Sequence, residues 1–154
     1  MLLYANSAIV ASMGQSANST TTIFELFGFD RPMNLLALAR RIDEGLPLSA
    51  LDALRKHVGD RLFEKALPRA KEQRLRRSGR AIPVATAERF YRLSVVYLDV
   101  LRIYHRDEKA AADFLFRPHM MLDDMAPIDL AVGSSAGRDA VRDVLAGLEF
   151  SFAA

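Results

Sequence analysis

The strongest constraint on this chain is a stripe in its middle: Phe90, Leu93, Tyr97, Val100 and Tyr104 recur at spacings of 3, 4, 3 and 4. That spacing keeps returning to one side of an α-helix, so it predicts a long helix, starting at Pro83, whose seam another helix must cover. Val95, Val96, Leu98 and Leu101 add a second apolar face. The helix should therefore be buried on two sides, either between two halves of the chain or in a homodimer.

The remaining patterns are also helical. A segment from Pro32 should turn Leu35, Leu36, Leu38, Ala39 and Ile42 onto one broad face and stop at Gly45. Ser49 opens a second helix with Leu51, Leu54 and Val58 inward. A third holds Leu62, Phe63 and Leu67, and Pro68 sits at the first turn of a fourth that Ser78-Gly79 ends. Beyond the long helix, Ala111, Phe114 and Leu115 lead to Pro118, an irregular stretch with Leu122 runs to Pro127, and a last helix spans 134–149. Its stripe is Ala140, Val141, Val144, Leu145 and Leu148. No segment alternates as a strand, so the expected class is all-α.

Composition narrows the chemistry. With 154 residues, 51% apolar and 26% charged, the chain is suited to one folded domain or two very small ones. It has no Cys, which rules out thiol nucleophiles, thiolate metal sites and disulfides and fits a reducing cytoplasm. The longest uncharged stretch, Met1 to Phe24, is broken by Asn, Ser, Gln and Thr and has no Lys or Arg at its start. It reads as an arm, neither a membrane span nor a signal peptide. The net charge of +2 conceals an asymmetry: residues 1–30 carry −2, residues 31–106 carry +9 and residues 107–154 carry −5. A basic middle joined to an acidic end points to nucleic acid for one part and another partner for the other.

The basic middle is concentrated in Pro68-Arg-Ala-Lys-Glu-Gln-Arg-Leu-Arg-Arg-Ser-Gly-Arg80, six cations against the single acid Glu72, with Ala70 and Leu75 among the few apolar anchors. A charge run is often only a solvated face. Here it follows a short helix and a tight Pro-containing turn, the order of parts in a helix-turn-helix, whose second helix enters the major groove. Arg69, Lys71, Gln73, Arg74, Arg76, Arg77 and Arg80 are the candidate DNA-binding residues: Arg suits guanine, Gln73 suits adenine, and the other cations suit phosphates.

Catalytic motifs are weak by contrast. Gly133-Ser-Ser-Ala-Gly137 spells G-x-S-x-G, but a nucleophile elbow needs a preceding strand and a later His, and none follows residue 119. Ser134 is better read as the N-cap of the last helix. Asp123-Asp124 beside Met120-Met121 lacks the further oxygen ligands of a metal loop, and His57, His105 and His119 are isolated. No enzyme, cofactor or metal is expected. The segment Leu148-Glu-Phe-Ser-Phe-Ala-Ala154 places two aromatics just beyond the last helix, where they either fold back or anchor a partner.

Several of these segments together resemble the Xre/MbcA/ParS antitoxins. Ala112-Asp-Phe-Leu-Phe-Arg-Pro118, Leu122, Pro127-Ile-Asp-Leu130, Ser134-Ser-Ala-Gly137 and Val141-Arg-Asp-Val-Leu145 follow the pattern of that family's toxin-binding domain. Gln73-Arg74 and Glu88-Arg-Phe-Tyr-Arg-Leu93 are similar to its helix-turn-helix part, and the likeness covers 45–152. The chain departs from the family's pattern at Phe114 (usually Trp), Asp123 and Asp124 (usually glycines), Ala146-Gly147 (usually Gly-Arg) and Glu149-Phe150-Ser151 (usually Glu-His-Gly).

The expected division is an arm over 1–30, read from its composition, a helix-turn-helix DNA-binding and dimerisation region over 31–106 and, as the resemblance implies, a toxin-binding domain over 107–154. The resemblance further implies an antitoxin that represses its own operon by binding operator DNA and blocks a RES-domain, NAD-consuming toxin. Leu148, Glu149, Phe150, Ser151 and Phe152 would make the toxin contact, with no catalysis or cofactor in this chain. A homodimer in the cytoplasm, away from membranes, is the expected setting. The alternatives are a stand-alone helix-turn-helix transcriptional regulator and a helical interaction module that binds no DNA.

Overall fold

A computed structural model describes residues 21–154; the expectations for the first 20 residues of the arm lie outside the described residues. Nine α-helices and one short 3-10 turn make up the described residues, which contain no strand, so the all-α expectation holds. The helices are α1 (Ile23–Leu26), α2 (Leu35–Glu44), α3 (Ser49–Val58), α4 (Asp60–Ala66), α5 (Arg69–Ser78), α6 (Val84–Ile103), α7 (Glu108–Phe116), α8 (Pro127–Gly133) and α9 (Ser135–Ala153), with the 3-10 turn at Met120–Leu122. None of these helices is long and apolar enough to cross a membrane.

Helix α6 is the axis of the fold. Phe90, Leu93, Val96, Tyr97 and Val100 are buried along it, while α1, α2 and α4 pack on it from one half and α7, α8 and α9 from the other. The two-sided burial is thus met within the chain. Phe63 of α4 stacks on Phe90 with ring centroids 5.2 Å apart, and the Tyr97 hydroxyl donates to the His57 carbonyl at 3.0 Å. An isolated antiparallel bridge, Ile82 N–H to Leu46 O at 2.7 Å, ties together the two ends of the α3–α5 segment.

Two expectations are corrected, and one helix appears for which the sequence carried no expectation. Only Leu38 and Ile42 of α2 are buried, whereas Ala39 is exposed and Leu35 and Leu36 are 60% and 61% exposed. The five positions do fall within one broad arc, each step turning about 100°, but the neighbouring elements cover only the part of it at Leu38 and Ile42. Residues 127–133, which carry too few residues for a readable period, form α8 with Pro127 in its first turn and Ile128, Ala131 and Val132 buried. The last helix continues to Ala153, so Phe150 and Phe152 belong to it and do not follow it; its Ala140 is exposed.

Helices α8 and α9 meet at a right place for a small residue. Ser134 caps α9 by accepting from Gly137 N–H at 2.9 Å, the role expected of it. A Cβ on Gly137 would stand 2.3 Å from the Leu130 carbonyl oxygen, too close to fit without moving backbone. A Cβ on Gly147, further along α9, would meet nothing within 4 Å. In the tight turn before α8, Asp123 and Asp124 adopt φ of 53° and 58°, the left-handed region in which the family pattern has glycines and which Asp tolerates better than most residues.

Two outcomes follow in urea and alkaline titrations. Gly147→Ala should stabilise by about 0.5–1 kcal/mol through helix propensity, whereas Gly137→Ala should destabilise by about 1–3 kcal/mol through overpacking; equal effects would contradict the close α8–α9 approach. Burial, aided by the Glu108 charge, pushes the Tyr97 phenol up to about 12. The fold favours the protonated phenol, so its contribution is intact below the ordinary value near 10 and lost as pH rises towards about 12. Tyr97→Phe should flatten that part of the stability curve, and an unchanged alkaline slope would contradict the burial.

Candidate functional site

The basic helix α5 stands on a charged anchor. Its sequence offers little apolar surface, and of the two expected anchors Leu75 is half-buried while Ala70 is exposed. The inward position is taken by Glu72, which is 7% exposed. Its carboxylate accepts from Arg55 of α3 and, at 3.0 Å, from Arg76 one turn along. Arg55 also pairs with Asp60 at 2.7 Å and lies over the Phe63 ring at 4.1 Å, and Arg76 reaches Asp52 at 2.8 Å. These carboxylates hold both guanidinium pKa values above their ordinary level.

The anchor sorts the sequence candidates. Arg69, Lys71, Gln73, Arg74 and Arg77 project from α5 as exposed side chains, and Arg80 follows the left-handed Gly79 that ends the helix. Arg76 is bound to Asp52 and Glu72 and braces α5 against α3. Glu72 was the residue that sequence reasoning missed as a structural group. Its signal was being the one acid in a cation run, four residues before Arg76 and three before the half-buried Leu75.

The other candidate surface is built where α6, α7 and α9 come together. Arg142 of α9 pairs with Asp99 of α6 at 2.7 Å, and Glu149 pairs with Arg102. These contacts lay α9 along α6 and carry its last turns past the end of α6. Phe150 is 79% exposed and Phe152 64%; the Phe152 ring meets Tyr104 edge-on at 6.4 Å. Tyr104 in turn lies 6.0 Å from Phe114, and Phe114 lies 6.2 Å from His119, a chain of rings across three elements. Leu148 is half-buried at its foot, and Ser151 donates back to the Gly147 carbonyl at 3.0 Å. Next to His119, Met120 and Met121 are 84% and 75% exposed.

The five tail candidates therefore divide. Phe150 and Phe152 present apolar rings to solvent, Glu149 and Ser151 are engaged within the chain, and Leu148 supports the ring chain. Exposed aromatic and Met side chains around the end of α9 and the 3-10 turn are the composition expected of a contact surface.

The two surfaces share a rigid joint. The Arg61 guanidinium of α4 lies over the Phe116 ring at 3.7 Å, and Lys65 pairs with Asp129 of α8 at 2.8 Å. Arg92 of α6 donates to the Val132 carbonyl at 2.7 Å at the end of α8, in surroundings whose burial lowers its pKa.

Residues 100–150 match the family model of the antitoxin Xre/MbcA/ParS C-terminal toxin-binding domain. The resemblance read from the Pro118, Leu122 and Pro127 spacing is borne out over this span, which begins inside α6 and contains α7, α8 and most of α9. The matched span contains Tyr104, Phe114 and His119 of the ring chain, and Phe152 lies just beyond it. A search of curated proteins gave no match.

The Glu72 anchor makes a direct prediction. Glu72→Ala should lower the unfolding free energy by about 1–3 kcal/mol in chemical denaturation, less than for a fully enclosed pair because Arg55 and Arg76 remain partly wet. A change below about 0.5 kcal/mol would mean that the carboxylate does not anchor α5.

Proposed function

We propose that this protein is the antitoxin of a type II toxin-antitoxin pair. It covers the active site of a RES-domain, NAD-degrading toxin with the end of α9, and it represses its own operon by laying α5 on operator DNA. The observation that carries the reading is the exposure of Phe150 and Phe152 on the last helix of a matched toxin-binding domain. Large apolar rings at a helix end are hot-spot material: they fill a pocket at little entropic cost and exclude water around it. The net −5 of residues 107–154 complements a basic cleft.

For DNA, support comes from the exposed Arg69, Lys71, Gln73, Arg74, Arg77 and Arg80, presented by a helix that follows α4 and the Leu67-Pro68 turn. Arg76 contributes by holding that helix in place. For a homodimer, the seam of α6 is occupied within the chain, and the exposed Leu35 and Leu36 favour a contact through the N-terminal part. A stand-alone regulator would use α5 in the same way without needing exposed rings on α9. The cytoplasm is the setting that both targets imply.

Two experiments test these halves separately. Arg74→Glu with Arg77→Glu should abolish operator retention in gel shifts at moderate salt. Milder Arg74→Ala with Arg77→Ala should lower the slope of log affinity against log salt by about 2. An intact slope would contradict the assignment of α5. Phe150→Ala with Phe152→Ala should keep helical content yet lose rescue of cells that co-express the proposed RES-domain toxin. Undiminished rescue would contradict the assignment of the α9 end.

A further inference from the structure

A groove of about 360 Å³ runs beside the chain of rings, bounded by the end of α6, by α7 and by α9. Tyr104, Phe114 and His119 supply ring walls, Leu148 an apolar one, Ala110 leaves the groove open on α7, and Asp113 contributes a carboxylate. A space of this size admits a long side chain. We propose that this groove receives one Lys or Arg side chain of the toxin, a second contact beside Phe150 and Phe152; this rests on the toxin-binding reading above.

Three features select a cation. Ring faces attract an ammonium or guanidinium, and more strongly as water is excluded. Asp113 is exposed and is not ion-paired within the described residues. The surrounding region, residues 107–154, carries a net −5, which repels an acidic partner segment and draws in a basic one. Arg117 also borders the groove, so an entering cation would turn towards Asp113 and away from Arg117. The groove is continuous with the rings at the end of α9: Leu148 lines it, and Tyr104 touches both Phe114 and Phe152. A toxin segment seated on Phe150 and Phe152 thus has the groove within reach.

The test measures the affinity of the full chain for the purified RES-domain toxin proposed as its partner. Ala110→Phe fills the groove and Asp113→Asn removes its charge, and each should weaken binding about tenfold with helical content unchanged. One Lys or Arg→Ala change on the toxin should cost a similar factor with the unaltered antitoxin and nothing with Asp113→Asn. Phe150→Ala separates the two claims. Loss of binding with Phe150→Ala but full binding with Ala110→Phe and Asp113→Asn would overturn the groove and leave the toxin-binding reading standing. Full binding in all three variants would overturn both. A tenfold loss with Ala110→Phe but no toxin cation coupled to Asp113 would overturn the cationic occupant.

Discussion

Everything in this fold leans on the burial of α6. Its Phe90, Leu93, Val96, Tyr97 and Val100 are almost wholly removed from water, each a side chain whose burial is worth about 1.5–3 kcal/mol. Because both faces are used, the helices before it and the helices after it share one core. Neither set could hide its own apolar stripes alone. The consequence for function is that the basic helix α5 and the end of α9 are carried by one continuous core.

Charge does at the surfaces what apolar burial does at the axis. A helix as cationic as α5 has little to offer a hydrophobic core, and the inward Glu72 solves this by binding Arg55 and Arg76 together. That arrangement neutralises one of the helix's own cations and leaves the others exposed. On α9 the pairs Arg142–Asp99 and Arg102–Glu149 act similarly, fixing the helix so that its last turns project Phe150 and Phe152. In both places an ion pair orients an element whose exposed side chains are then available to a partner.

The sequence made the axis legible because a 3-4-3-4 spacing can be satisfied only by a helix with covered faces. The cap at Ser134 and the basic helix could also be read, since each depends on a few neighbouring residues. Three features escaped. Helix α8 has only seven residues, too few for a period, and owes its form to packing against α6 and α9. The exposure of Leu35 and Leu36 depends on where the neighbouring elements end. The extension of α9 through Gly147 to Ala153 runs against local propensity and is supported by Arg102 and Tyr104, residues more than forty positions earlier. For the site, the family pattern led to the tail, but the groove of Tyr104, Phe114 and His119 joins three elements that no local spacing relates.

Hydrogen exchange of the backbone amides, with and without a bound toxin, addresses the central claim most directly, because it reports which helices are covered. The account predicts added protection at residues 146–153 and across 104–121, with α5 exchanging as in the free protein. Protection on α5, or none at the end of α9, would contradict it.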